Sequence, residues 1–267
     1  MKIKEISCKS LLNKSKLADY CINPYIGCEH ACVYCYADDV TRRFSRHEEP
    51  WGKFVDVKIN APEVLNKEML TKKRGTVFIS SITDPYQPLE KKYQLTRKCL
   101  EILLEHQFAI TIQTKSSLVV RDISLLKEFK NCEVGFTVTT LDENVRKNFE
   151  PFSSSVKEKL EALRLLNESG IRTYVFFGPV LPHLSDKNLI EYLQTMSGLG
   201  IDCLYIDKLN LKPGVWESVQ KVIEKNYPDA LEEWKNILFT KNDYYTDLKQ
   251  KIVKFCSENK MKCIVCY

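Results

Sequence analysis

No uninterrupted apolar run in this chain approaches the roughly 20 residues that a membrane-crossing helix needs, so a helical membrane anchor is not expected. No apolar segment stands behind the opening Met1-Lys2-Ile3-Lys4-Glu5, so no secretory leader is expected either. Internal repeats, low-complexity tracts and Gly/Ser linkers are also missing, which speaks against a solenoid or domains on a flexible tether. What is present is a chain of 267 residues, 44% hydrophobic and 28% charged, able to bury a sizeable core. The expectation is a cytoplasmic protein with no membrane partner. It should form one domain over residues 1–267, with a core at about 20–210 and a C-terminal extension at about 211–267.

Eleven cysteines do not imply a disulfide scaffold here, because that device suits short chains that cannot build a core. Their placement is uneven. Cys99, Cys132 and Cys203 sit in apolar helix or strand contexts, where a free thiol acts as a small buried hydrophobe. Cys28, Cys32 and Cys35 instead stand together, spaced Cys-x3-Cys-x2-Cys, just after Asn23-Pro24-Tyr25-Ile26-Gly27. Three thiolates from one short loop can hold three corners of a cubane iron–sulfur cluster, which normally takes four. No fourth cysteine follows at short spacing, which would leave one iron open to a small molecule.

A zinc site and a plain electron-transfer cluster are the alternatives. Zinc usually takes two paired ligand motifs. The other close pair, Cys263-x2-Cys266, lies more than 200 residues away, although His30 could add a nitrogen from inside the loop. Cys256, Cys263 and Cys266 invite a second cluster, yet Met261–Cys266 reads as a terminal strand. Iron content separates the two: about four atoms per chain for one cluster, about eight for two.

After residue 75 the pattern is strand, loop and amphipathic helix, several times over. Strands are expected at Thr76–Ser80, Ala109–Gln113, Glu133–Val138, Arg172–Phe177 and Cys203–Asp207, and helices at Leu95–Glu105, Val120–Phe129, Val156–Ser169 and Lys187–Leu199. Gly170 and Gly200 fall at helix C-caps. A strand at about Tyr20–Tyr25 gives six units, with Val55–Ile59 an extra strand or hairpin and Lys262–Cys266 a late strand. The fold class is therefore α/β: a parallel sheet curled into a partial (β/α)6 barrel, short of the full eight-strand ring. Ligands of such sheets lie beyond the carboxyl ends of the strands.

The string Gly27-Cys28-Glu29-His30-Ala31-Cys32-Val33-Tyr34-Cys35-Tyr36 resembles the radical S-adenosylmethionine superfamily. The wider run from Asn23 to Ala37 is similar to its spore photoproduct lyase branch. So are Thr83-Asp84-Pro85-Tyr86-Gln87-Pro88 within Ser81–Glu90, the pairs Lys115-Ser116 and Arg121-Asp122, and Glu150-Pro151. The resemblance runs from about residue 20 to 210. It implies a [4Fe-4S] cluster on Cys28, Cys32 and Cys35, with S-adenosylmethionine chelated to the open iron. One electron, from a donor such as flavodoxin or ferredoxin, would break a carbon–sulfur bond of the sulfonium. The 5′-deoxyadenosyl radical so formed would take hydrogen from a substrate.

The resemblance also implies residue roles. Tyr34 matches an aromatic position near the adenine, and both Tyr34 and Tyr36 match tyrosines of a radical relay. Lys115 and Thr137 match polar contacts to the cofactor, and Thr83 and Asp84 fall where the methionine moiety binds. Ser81 stands where spore photoproduct lyases carry a hydrogen-donating cysteine. A serine O–H bond is far stronger than a thiol S–H bond, so genuine lyase activity is not expected. The substrate implied is nucleic acid, DNA or RNA. A net charge of +5 is compatible with this, and Arg42, Arg43 and Arg46 are candidate phosphate contacts. A small-molecule or peptide substrate is the rival within the same chemistry. A non-enzymatic iron–sulfur electron carrier or redox sensor is the rival outside it.

Overall fold

Short runs rich in β-branched and aromatic residues pair into two sheets in the computed structural model, which describes residues 1–43, 45 and 47–267. In chain order the strands are β1 (Lys2–Ile6), β2 (Asn13–Lys14), β3 (Tyr20–Ile22), β4 (Tyr25–Ile26), β5 (Phe54–Lys58) and β6 (Thr76–Ile79). Then follow β7 (Ala109–Thr114), β8 (Cys132–Thr137), β9 (Arg172–Val180), β10 (Cys203–Lys208) and β11 (Cys263–Val265). The large sheet runs β11-β10-β9-β8-β7-β6-β3-β2. Every neighbouring pair is parallel except β2 with β3. The six strands β3 and β6 to β10 form the expected partial (β/α)6 barrel, open between its edges.

Alternation along each strand divides its side chains between two environments. Val77, Ile79, Ile112, Val134, Phe136, Val175, Phe177, Leu204 and Ile206 are buried in one continuous core. The same core takes in Leu100 and Leu103 of helix Leu95–Glu105, Leu163 and Leu166 of Val156–Glu168, and Leu193 and Met196 of Leu189–Gly198. Their sequence neighbours Phe78, Thr111, Gln113, Glu133, Tyr174, Phe176 and Tyr205 line an interior cavity instead. Gly135 makes room for one of them, since a Cβ there would lie 2.0 Å from the Tyr174 ring. Gly135→Ala is expected to cost about 1–3 kcal/mol through overpacking, read as a lower midpoint in urea at an unchanged slope.

Helix Val156–Glu168 begins at a Ser155 capping box closed by Glu158. Gly170 and Gly200 adopt positive φ (77° and 68°), as their C-cap assignment requires. Two expected elements differ. The strand at Tyr20–Tyr25 breaks at Asn23-Pro24, because proline has no amide to donate and the Asn23 side-chain oxygen accepts from the Ser81 and Ile82 N–H groups. The helix at Val120–Phe129 becomes a 3-10 turn, Ser117–Asp122, followed by the short helix Ile123–Leu126. There the buried Asp122 carboxylate is held by Arg97 at 2.6 Å and Arg121 at 2.9 Å, which fixes the backbone at that point.

The extra strand β5 (Phe54–Lys58) joins a second, small sheet in the order β1-β5-β4. Its partner β4 ends at Ile26, immediately before the cysteine loop. Strand β11 extends the large sheet beside β10, as the terminal-strand reading expects. Cys256 is buried in the main core and Cys263 packs against it, whereas Cys266 is exposed and lines the interior cavity.

Candidate active site at the barrel mouth

Cys28, Cys32 and Cys35 open onto one cavity of about 900 Å³ at the carboxyl ends of the strands. The loop turns at Gly27, whose φ is +87° and whose Cβ, if present, would come within 2.5 Å of the Phe54 carbonyl oxygen. Distant segments then pin it. The Glu29 N–H donates to Gln87 Oε1 at 3.0 Å, and the Glu29 carboxylate accepts from the Leu89 N–H at 2.5 Å. Thr83 Oγ1 donates to the Gly27 carbonyl at 2.5 Å. His30 reaches the Phe152 carbonyl with Nδ1 (2.9 Å) and Asp84 with Nε2 (3.2 Å).

Asp84 also accepts from Thr114 Oγ1 (2.7 Å) and from the N–H groups of Tyr86 (2.9 Å) and Lys115 (2.7 Å). Burial pushes its carboxyl up, but the His30 charge and these hydrogen bonds outweigh that and hold it at about 2. Its oxygens are thus engaged by protein donors, and with Thr83 it locks the loop to the barrel. A direct contact from the Asp84 carboxylate to a methionine moiety would have to share those donors.

Tyr34 is buried, and its hydroxyl donates to Glu150. Glu150 further accepts from Thr139 (3.0 Å), Ser153 (3.0 Å) and Lys159 Nζ (2.5 Å). Burial pushes the Glu150 carboxyl up, yet Lys159 and then Lys115 hold it at about 2. Lys115 Nζ sits 5.7 Å from the Tyr34 ring centre, and among the described residues no oxygen accepts from it. Tyr36 is 42% exposed, and its hydroxyl donates to the Ser81 carbonyl at 2.7 Å. Ser81 Oγ lies 3.2 Å from Cys21 Sγ on the neighbouring strand. Thr137 is buried, with Oγ1 3.3 Å from Gln113 Nε2.

Burial raises all three loop thiols above the ordinary cysteine value, and the Lys115 charge pulls Cys32 and Cys35 part of the way back. Thiolates here therefore need a cationic centre between them, with Lys115 as a further counter-charge. Among the described residues no three His, Cys, Asp or Glu side chains are grouped as a single ion would require. A cubane binds its thiolates on separate irons and does not ask for that convergence. The donor set fits the cluster.

The structure brings every predicted site residue to this mouth: Tyr34, Tyr36, Ser81, Thr83, Asp84, Lys115 and Thr137 all line the cavity with the cysteines. The arginines behave differently. Arg42 pairs with Asp38 (2.7 Å) and Arg43 with Asp39 (2.5 Å) along one helix, so both charges are already matched. Arg46 lies outside the described residues. Sequence reasoning missed Gln87 and Glu29 as loop anchors, Lys159 as the partner of Glu150, and the lumen residues Tyr174, Phe176, Tyr205 and Asp207. Strict alternation along β9 and β10 carried the signal for the lumen set.

The family model of the radical SAM superfamily matches residues 22–196. An uncharacterised protein of Methanocaldococcus jannaschii is 36% identical over 234 residues, 87% of this chain and 86% of its own. The radical SAM Nalpha-GlyT isomerase of Pseudomonas phage M6 is 23% identical over 91% of this chain, which spans 52% of that protein. The solved structure of spore photoproduct lyase complexed with dinucleoside spore photoproduct superposes with a TM-score of 0.73 at 17% identity, over 99% of this chain and 82% of that one. Half the chain and more falls within one family, and its open barrel is that of a lyase from the same family. This protein belongs to the radical S-adenosylmethionine superfamily, as an enzyme with the spore photoproduct lyase-like fold.

Proposed function

We propose that Cys28, Cys32 and Cys35 hold a site-differentiated [4Fe-4S] cluster, that S-adenosylmethionine binds at its open corner, and that the substrate is nucleic acid. When bound, the pair supplies reductive cleavage of the sulfonium and a hydrogen-abstracting radical. The observation that carries this reading is the sharing of one cavity by three thiols, aromatic rings and the Lys115 ammonium, which has no acceptor among the described residues.

In this reading Lys115 balances the anionic thiolates. Tyr34, aimed by Glu150, packs beside the cofactor, and Thr137 offers a hydroxyl from β8. Thr83 and Asp84 keep the loop in register. Ser81 presents no weak S–H bond to the substrate, so the outcome differs from spore photoproduct repair. The dinucleoside bound by the lyase supports a nucleobase as the reacting group. An external one-electron donor such as flavodoxin or ferredoxin is required. We read residues 1–267 as one domain working in the cytoplasm, whose reducing conditions suit free thiols. No helix among the described residues is long and apolar enough to cross a membrane.

Anaerobic reconstitution, reduction and product analysis with deuterated DNA and RNA test the reading. Label is expected in 5′-deoxyadenosine with one of the two polymers. Its release should fall about 10³-fold or more in apparent affinity between 50 and 200 mM salt if several phosphates are bound. A salt-independent reaction would point to a small-molecule or peptide substrate. No 5′-deoxyadenosine at all would point to an iron–sulfur electron carrier or redox sensor.

A further inference from the structure

Two groups on the cavity wall lack a side-chain hydrogen-bond partner among the described residues and are unused by the cysteine loop. Asp207, at the end of β10, is half-buried, and among the described residues no side chain donates to its carboxylate. The neighbouring Lys208 ammonium lies over the Tyr267 ring at 5.7 Å and forms no ion pair with Asp207 within 4.0 Å among the described residues. Burial pushes the Asp207 carboxyl up, and the Lys208 backbone N–H and charge oppose this. Ser80, just past the end of β6, is only 4% exposed and has φ of +66°, and its hydroxyl has no hydrogen-bond partner among the described residues. A strained backbone and an orphaned hydroxyl at one residue of a cavity wall mark a place that a ligand completes.

Apart from the Lys208 charge, the groups that feel Asp207 are acidic or neutral. Tyr36, Cys266 and Tyr267 lie close enough that, after burial, its negative charge helps push each of them up. Deeper in the lumen is Glu133, whose partner Arg172 stands 3.4 Å away and is largely exposed. The cavity's other cation, Lys115, is beside Cys32 and Cys35. Rings line the wall between: Tyr205 is in register with Phe176, and Tyr174 meets Tyr205 edge-on at 5.2 Å. Phosphate would be repelled from this wall, whereas a flat ring can stack on it and a cation can satisfy its carboxylates.

We propose that the lumen takes a nucleobase-like ring carrying a protonated amine, the ring lying against Tyr205 and Phe176 and the amine held by the Asp207 carboxylate. This rests on the nucleic-acid reading above and adds the charge of the group that enters. Phosphates, if the substrate has them, stay outside the barrel.

The test uses the reconstituted full chain at saturating S-adenosylmethionine, so that the ammonium of that cofactor is already placed. Thymidine, 5-aminomethyl-2′-deoxyuridine and 5-carboxymethyl-2′-deoxyuridine share one ring and differ in charge. Their binding is read from the fluorescence of Trp51, which lines the cavity. The aminomethyl nucleoside is expected to bind about tenfold tighter than thymidine, and the carboxymethyl nucleoside weaker than both. Asp207→Asn should reduce the amine preference to under about twofold, and Asp207→Glu should restore most of it. Equal binding of all three overturns the inference and leaves the nucleobase reading standing, as does a preference that survives in Asp207→Asn. Binding of none of them overturns both.

Discussion

Cys32→Ala is expected to lower bound iron from about four atoms per chain to near zero, and 5′-deoxyadenosine formation should vanish with it. The loop offers three thiols and no spare, so each missing thiolate leaves one iron without a protein ligand. The loss should not come from unfolding. Glu29 and His30 still tie the loop to Leu89 and Phe152, and Thr83 still holds the Gly27 carbonyl. Removing one buried sulfur costs about 1 kcal/mol, visible as a small drop in melting temperature. Cys99→Ala is the matched control, because Cys99 is equally buried but lies in the main core, away from the cavity. Full iron content in Cys32→Ala, measured by iron assay and by the visible absorbance of the cluster, would remove the basis for the proposed function.

The second large effect concerns stability. Lys159→Met is expected to destabilise the fold by about 3–5 kcal/mol, because it leaves the Glu150 carboxylate charged and buried without its ion partner. Lys159 and Glu150 are both essentially inaccessible, and their 2.5 Å contact sits among the hydroxyls of Tyr34, Thr139 and Ser153. Adding Glu150→Gln to Lys159→Met should recover part of the loss, since a neutral amide tolerates burial better. Urea titration of the single and double variants measures both effects.

The same carboxylate predicts an acid limb. Its folded value of about 2 lies below the ordinary 4.5, so its contribution is fully present above about pH 4.5 and is lost as pH falls towards 2. In Glu150→Gln that part of the pH dependence should disappear. A stability curve unchanged from wild type between pH 4.5 and 2 would mean that Glu150 is not ionised in the fold.

The reach of the sequence can be judged residue by residue. Helix Leu95–Glu105 emerges with the same bounds because its apolar positions keep a three- and four-residue step and Gln94 at positive φ sets its start. The parallel strands were visible as short β-branched runs, and the cysteine spacing pointed to the candidate site. Elements fixed by distant side chains were not visible. The stretch Val120–Phe129 has helical periodicity, yet Arg97, Arg121 and Asp122 impose a different turn. Tyr34 could be placed in the site, but nothing local reveals that Glu150 and Lys159, over 100 residues later, hold it. Asp207 and Ser80 are equally silent in sequence: each looks like the end of a strand, and only the cavity that both line gives them meaning.

The tethering of the cysteine loop at Glu29, His30 and Tyr34 has a consequence for assembly. Where a zinc finger is moulded by its ion and collapses without it, this receptacle is cast by the surrounding polypeptide. Little chain ordering would remain to be done on loading of the proposed cluster. Chelation and refilling should therefore cycle through an intact apoprotein, and oxidative loss of the metal need not commit the polypeptide to aggregation.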